Sequence, residues 1–131
     1  MTIRYSATVR TNRMTQVLTA LGSTPKLQIY SGSQPATPAT GATGTLLAEI
    51  TLAATPGTVT GGVLTITTPQ SDNTSDASGI PGWASLVTSG NARIVDMSCS
   101  VGAGGDLVFS ANIVQTGITT LSTLTLTDGS S

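Results

Sequence analysis

The chain has 131 residues, the length of one domain with one core. Only 8% of the residues are charged and the net charge is −1, against roughly 25% charged residues in ordinary soluble domains, so Thr and Ser cover the polar surface and copies repel one another little. Histidine is absent, cysteine occurs once and basic residues number five. These counts exclude histidine acid–base chemistry and Ser-His-Asp or Cys-His triads, most zinc sites, an intrachain disulfide, and the basic footprint of a nucleic-acid partner.

The first ten residues carry positive charge but no apolar run, so no signal peptide is expected and synthesis in a cytoplasm is. Met14, Val17, Leu18 and Leu21 then fall at i, i+3, i+4 and i+7, which predicts one helix. Thr11 or Asn12 is the expected N-cap and Gly22 the expected end. Alternating runs follow at Lys26 to Tyr30, Leu46 to Leu52, Val63 to Thr68, Trp83 to Thr88, Ala92 to Cys99, Leu107 to Ser110 and Ser122 to Thr127. Turn-rich segments separate them: 31–44, Pro56-Gly57, Gly61-Gly62, 69–82, 89–91 and 102–106.

Short strands, long loops and no βαβ spacing predict an all-β fold: an antiparallel β-sandwich or jelly roll of seven or eight strands with one short N-terminal helix. One domain over residues 1–131 is expected, its N-terminal arm and helix covering about residues 1–22. The uncharged stretches Thr51 to Ser71 and Leu107 to Thr127 are too often interrupted by Thr, Gly, Pro, Asn and Gln to cross a membrane as helices, so no membrane partner is expected.

Several motifs carry a sharp reading beside a bland one. Asp72 to Gly79 gathers two carboxylates and two hydroxyls, but without the spacing of a calcium loop, and an Asx turn is the preferred reading. Asn73-Thr74-Ser75 is a formal glycosylation sequon and is read as chance. The Thr-x-Thr runs show no fixed period, so they are read as solvent-facing strand positions rather than an ice-binding array. Trp83 is expected to plug the core and Cys99 to be a buried, inert thiol. No cofactor and no metal is expected.

Charge is distributed unevenly. Arg4, Arg10, Arg13 and Lys26 give the first 26 residues +4, whereas the remainder carries six acids against Arg93, or −5. Such an arm either folds back on its own acidic sheet or reaches a neighbouring copy or larger acidic surface through Arg–carboxylate pairs. Ile3, Arg4, Tyr5, Arg10 and Arg13 are the candidate partner-binding residues.

Ile3-Arg4-Tyr5 before a short helix, Leu27-Gln28-Ile29-Tyr30-Ser31-Gly32 with Gln34-Pro35-Ala36, and Thr45-Leu46-Leu47-Ala48-Glu49-Ile50-Thr51-Leu52 form a familiar series. Gly61-Gly62-Val63-Leu64, the loop Thr74 to Gly79 leading to Trp83, Gly102 to Leu107 and Thr120 to Thr127 extend it over nearly the whole chain. Together they resemble small virion proteins of tailed bacteriophages. The resemblance implies a capsid decoration or cement protein, a jelly-roll-like, non-enzymatic domain on the outer capsid surface of the virion. Its partner would be the major capsid protein, with neighbouring capsomers tied together after expansion. A homo-oligomer, dimer or trimer, is the expected state. The alternative reading is a carbohydrate- or receptor-binding module of a phage tail fibre or baseplate.

Overall fold

The computed structural model describes residues 3–66, 70–121 and 124–127. The fold is mostly β with one short helix, and its largest sheet is mixed and curls into a half-barrel.

Helix α1 spans Ala7–Leu21. It begins earlier than expected, because Ser6 is the N-cap, its Oγ accepting the Val9 N–H at 3.3 Å, and nothing between Ala7 and Asn12 interrupts helical backbone. Thr11, expected as the cap, lies within the helix and accepts the Gly62 N–H on its Oγ1 at 3.0 Å. Gly22 ends the helix at φ 73°, as expected. The apolar stripe faces inward: Leu21 is buried, and Met14, Val17 and Leu18 pack partly buried against the core.

Ten strands follow among the described residues: β1 (Lys26–Tyr30), β2 (Leu46–Thr51), β3 (Gly57–Thr60), β4 (Val63–Ile66), β5 (Gln70–Asp72), β6 (Trp83–Val87), β7 (Arg93–Val101), β8 (Leu107–Phe109), β9 (Thr119–Leu121) and β10 (Thr125–Thr127). The expected seven or eight omitted β3, β5 and β9, each three or four residues long. Residues 67 and 68 of the expected run Val63 to Thr68, and 122 and 123 of the last, lie outside the described residues.

The strands form a sheet in the order β2-β1-β6-β7-β8, a smaller one in the order β10-β4-β3, and a ribbon of β5 with β9. All pairs are antiparallel except β7 with β8, which run parallel, Cys99 opposite Leu107. The antiparallel expectation gives way there because the 102–106 loop carries the chain back alongside β7. The Asp106 carboxylate accepts the Ser98 N–H and hydroxyl at 3.1 and 3.0 Å, fixing the return.

The β3–β4 hairpin turns at Gly61 and Gly62, both at positive φ (58° and 80°), the conformation a two-residue hairpin of this hand requires. A Cβ on Gly62 would stand 3.0 Å from the Arg10 Cβ, so the turn also lets α1 approach.

Period two divides the large sheet into two faces. Leu27 and Ile29 of β1, Ala48 and Ile50 of β2, Ala84 and Leu86 of β6, and Met97 and Cys99 of β7 enter a core shared with Leu21, Leu64, Ile66, Leu121 and Leu124. The other face presents Lys26, Gln28, Tyr30, Glu49, Trp83, Ser85 and Asp96, which the register sets side by side across four strands.

Candidate interaction surface

Ile3, Arg4 and Tyr5 form an exposed arm ahead of α1, with Ile3 63% and Tyr5 42% exposed. Arg13, two turns into the helix, lays its guanidinium over the Tyr5 ring at 4.9 Å. A cation–π contact at such an exposed site contributes about 0.5–1 kcal/mol, enough to bias the arm toward the helix without fixing it. Arg10 behaves differently. It is half-buried against the Gly61-Gly62 turn, and its Nε is buried without a hydrogen-bond partner. The structure therefore brings Tyr5 and Arg13 together with Ile3 and Arg4 on an exposed N-terminal surface, while Arg10 joins helix to hairpin.

Sequence reading missed the polar face of the large sheet as an organised assembly. Tyr30 and Trp83 are cross-strand partners and stack with centroids 4.5 Å apart. Arg93 sits over the Trp83 ring at 5.1 Å and pairs with Asp96, whose side chain is only 2% exposed. The same guanidinium donates to the Thr37 and Thr40 carbonyls, and Trp83 Nε1 donates to the Thr43 carbonyl at 3.1 Å. These bonds pull the 31–45 loop over the aromatic pair, so Trp83 is fully buried, but beneath this loop on the sheet's other face rather than as the expected plug of the main core. Next to it, Lys26 pairs with Glu49 at 3.4 Å, Gln28 donates to Glu49 at 2.8 Å, and Tyr30 donates to Gln28 Oε1 at 3.0 Å. Burial raises the Tyr30 pKa, with Arg93 opposing it and Glu49 and Asp96 adding to it. The available signal was the Arg93/Asp96 spacing, in a chain with so few charges.

The 72–79 loop uses its polar groups internally. Asp72 accepts the Thr74 N–H on Oδ1 at 2.9 Å, the expected Asx turn, and the Glu49 N–H on Oδ2 at 3.1 Å. Ser75 is buried, bonded to the Gly117 carbonyl and the Thr119 hydroxyl. Partial burial, then the charges of Asp72 and Glu49, raises the Asp76 pKa.

Cys99 is buried, and desolvation, then the Asp106 charge, pushes its thiol up to about 12. A thiol held neutral there is a poor nucleophile at physiological pH. No group of three or more His, Cys, Asp or Glu residues able to hold a metal converges among the described residues, and no described helix is long and apolar enough to cross a membrane. What this arrangement offers chemically is contact surface: an exposed basic arm, and a sheet face closed by its own loop.

Comparison of the chain with protein-family models, with curated proteins and with solved structures finds no match.

Proposed function

We propose that the chain is a non-enzymatic virion structural protein that binds the outer surface of a phage capsid and joins neighbouring capsomers, stabilising the expanded head. The observation that carries this reading is the exposed N-terminal arm, Ile3-Arg4-Tyr5, with Arg13 beside it, on a chain otherwise poor in positive charge. Exposed apolar side chains alternating with arginine suit an acidic protein surface, where guanidinium–carboxylate pairs orient and apolar contacts bind. The resemblance to small phage virion proteins agrees with it. The finer fold reading, a jelly-roll-like sandwich, belongs to the same proposal and is supported by the shared core between the large sheet and the smaller strands. Many copies would hold a shell even through individually weak contacts, because linked sites multiply modest affinities.

The test is co-sedimentation of purified protein with expanded capsids that lack it. Saturation at an icosahedrally sensible copy number is the expected result, with Arg4→Ala and Arg13→Ala together lowering occupancy at moderate salt while the fold stays intact. Absence of binding to competent shells overturns the proposal.

A further inference from the structure

The polar face of the large sheet gathers an amine, a carboxylate and two carboxamides around one point. Lys26, Gln28 and Tyr30 alternate along β1, and the register sets Glu49 of β2 opposite Gln28. On its other flank Lys26 stands opposite Val87, the last residue of β6, beyond which the chain turns back into β7. Thr88 closes that turn with Asn91 and Ala92, and Asn91 is held in it at φ 69°. The Asn91 carboxamide thereby meets β1: its Oδ1 accepts from Lys26 Nζ at 3.3 Å and from Gln28 Nε2 at 3.4 Å. Glu49 reaches the same two donors, Oε1 at 3.4 Å from Lys26 Nζ and Oε2 at 2.8 Å from Gln28 Nε2. Gln28 is only 8% exposed, and Tyr30 donates to its Oε1 at 3.0 Å, so the amide end that faces Asn91 is fixed.

We propose that Lys26 and Asn91 join in an intramolecular isopeptide bond, made by the folded chain itself with Glu49 as base and Gln28 as oxyanion donor. An amine attacks an amide at a useful rate only if three conditions are met together. It must be held against the carbonyl, a base must free its lone pair, and a donor must await the negative oxygen. Lys26, the chain's one lysine, meets the first through its bond to Oδ1, Glu49 supplies the second, and the Gln28 Nε2 supplies the third.

The step balances without an oxidant or any further reactant. Glu49 takes one proton from the Lys26 ammonium, and the Nζ lone pair forms a bond to Asn91 Cγ while charge collects on Oδ1. A second proton passes from Nζ to Nδ2 as the Cγ–Nδ2 bond breaks. Ammonia departs and recovers the proton from Glu49, so an ammonium and a primary amide become a secondary amide and an ammonium ion. Asn91 is on an exposed turn, which gives the ammonia its way out. The product ties β1 to the β6–β7 turn and closes the chain between them, β2 to β6, into a loop. Such a closure restricts the unfolded chain as a disulfide does, in a protein whose single cysteine cannot form one within the chain.

The test is mass spectrometry of the purified full-length protein, freshly prepared and after a week in solution, intact and after trypsin. The expected result is a loss of about 17 Da, the mass of ammonia. Trypsin should then fail to cut at Lys26 and should release residues 14–93 as one fragment whose fragment ions place the link between Lys26 and Asn91. Asn91→Ala should keep full mass and be cut at Lys26, as should parent protein kept unfolded in denaturant. Glu49→Gln, confirmed as folded by Trp83 emission, should form the link at least tenfold more slowly. Full mass in the aged parent overturns the proposal. So does the same loss with cutting at Lys26 intact, which marks a succinimide, or a link that forms equally in the unfolded chain. An undiminished rate in Glu49→Gln overturns the part given to Glu49.

Discussion

Tyr30 and Trp83 lie flat against each other across the β1–β6 pair, ring planes within 10°. Their stack is the floor on which the 31–45 loop rests, because Trp83 Nε1 reaches the Thr43 carbonyl and Arg93 closes over the indole. Trp83→Ala removes the largest fully buried side chain and should cost about 3–5 kcal/mol in denaturant unfolding. Trp83→Phe keeps an aromatic face but leaves the Thr43 carbonyl without its donor, and should cost about 1–3 kcal/mol. Limited proteolysis should then cut the 31–45 loop faster than in the parent. As the chain's one tryptophan, Trp83 should emit at short wavelength when folded and shift red on unfolding.

Arg93 and Asp96 form a pair largely removed from water, with side chains 10% and 2% exposed. Removing either partner strands a buried charge, so Asp96→Ala or Arg93→Ala should each cost about 3–5 kcal/mol. A double-mutant cycle measured by chemical denaturation should give a coupling energy above about 1 kcal/mol. Arg93→Lys should recover little, since an ammonium cannot match the fork that holds Asp96 and two loop carbonyls together.

Cys99 makes alkaline stability predictable in sign. Its folded pKa of about 12 lies above the ordinary thiol value of about 8.5, so the native state keeps a proton that the unfolded chain releases. Stability from this group is whole below about pH 8.5 and declines as pH rises from there toward about 12. Tyr30, also raised, adds a decline of the same sign only above its ordinary value of about 10. Between about pH 8.5 and 10, therefore, Cys99→Ala should flatten the slope of unfolding free energy against pH. Thiol reagents should modify the folded parent at the rate of global opening.

The start of α1 is open to a direct comparison. Ser6→Ala removes the observed cap and should lower stability by about 1 kcal/mol, whereas Asn12→Ala should be nearly neutral. Leu18→Asp places a charge against the core and should destabilise by several kcal/mol in thermal or denaturant unfolding.

Legibility in the sequence followed element length and alternation. The run from Lys26 to Tyr30 reads apolar on every second residue, and β1 has those bounds. The stripe at Met14, Val17, Leu18 and Leu21 located the helix, yet its first two turns carry mostly Thr, Arg and Asn and so left no apolar stripe. Strands β5 and β9 pair through Ser71 and Thr120, whose hydroxyls meet at 3.0 Å, and three residues of that kind look like loop. The parallel return of β8 depends on a side chain, Asp106, bonding back to Ser98. Period-two reading carries no such information. For the candidate surface, the basic arm was visible as charge, but the loop-covered Tyr30–Trp83 face was not, because it depends on Arg93 and Trp83 reaching backbone carbonyls of the 31–45 loop.

Pairing β1 with β6 binds Leu27 to a strand that begins at Trp83. Every residue between them, including the hairpin β3–β4, must be synthesised before the central pair of the large sheet exists. On a ribosome that sheet holds no more than its β1–β2 pair until β6 and β7 have emerged, leaving Leu27, Ile29, Leu47 and Ile50 without their lasting cover. Contacts this remote in sequence slow folding relative to local ones. A chain stalled before Trp83 should accordingly be held by chaperones, whereas the full chain released from the ribosome should resist protease across β1 and β6.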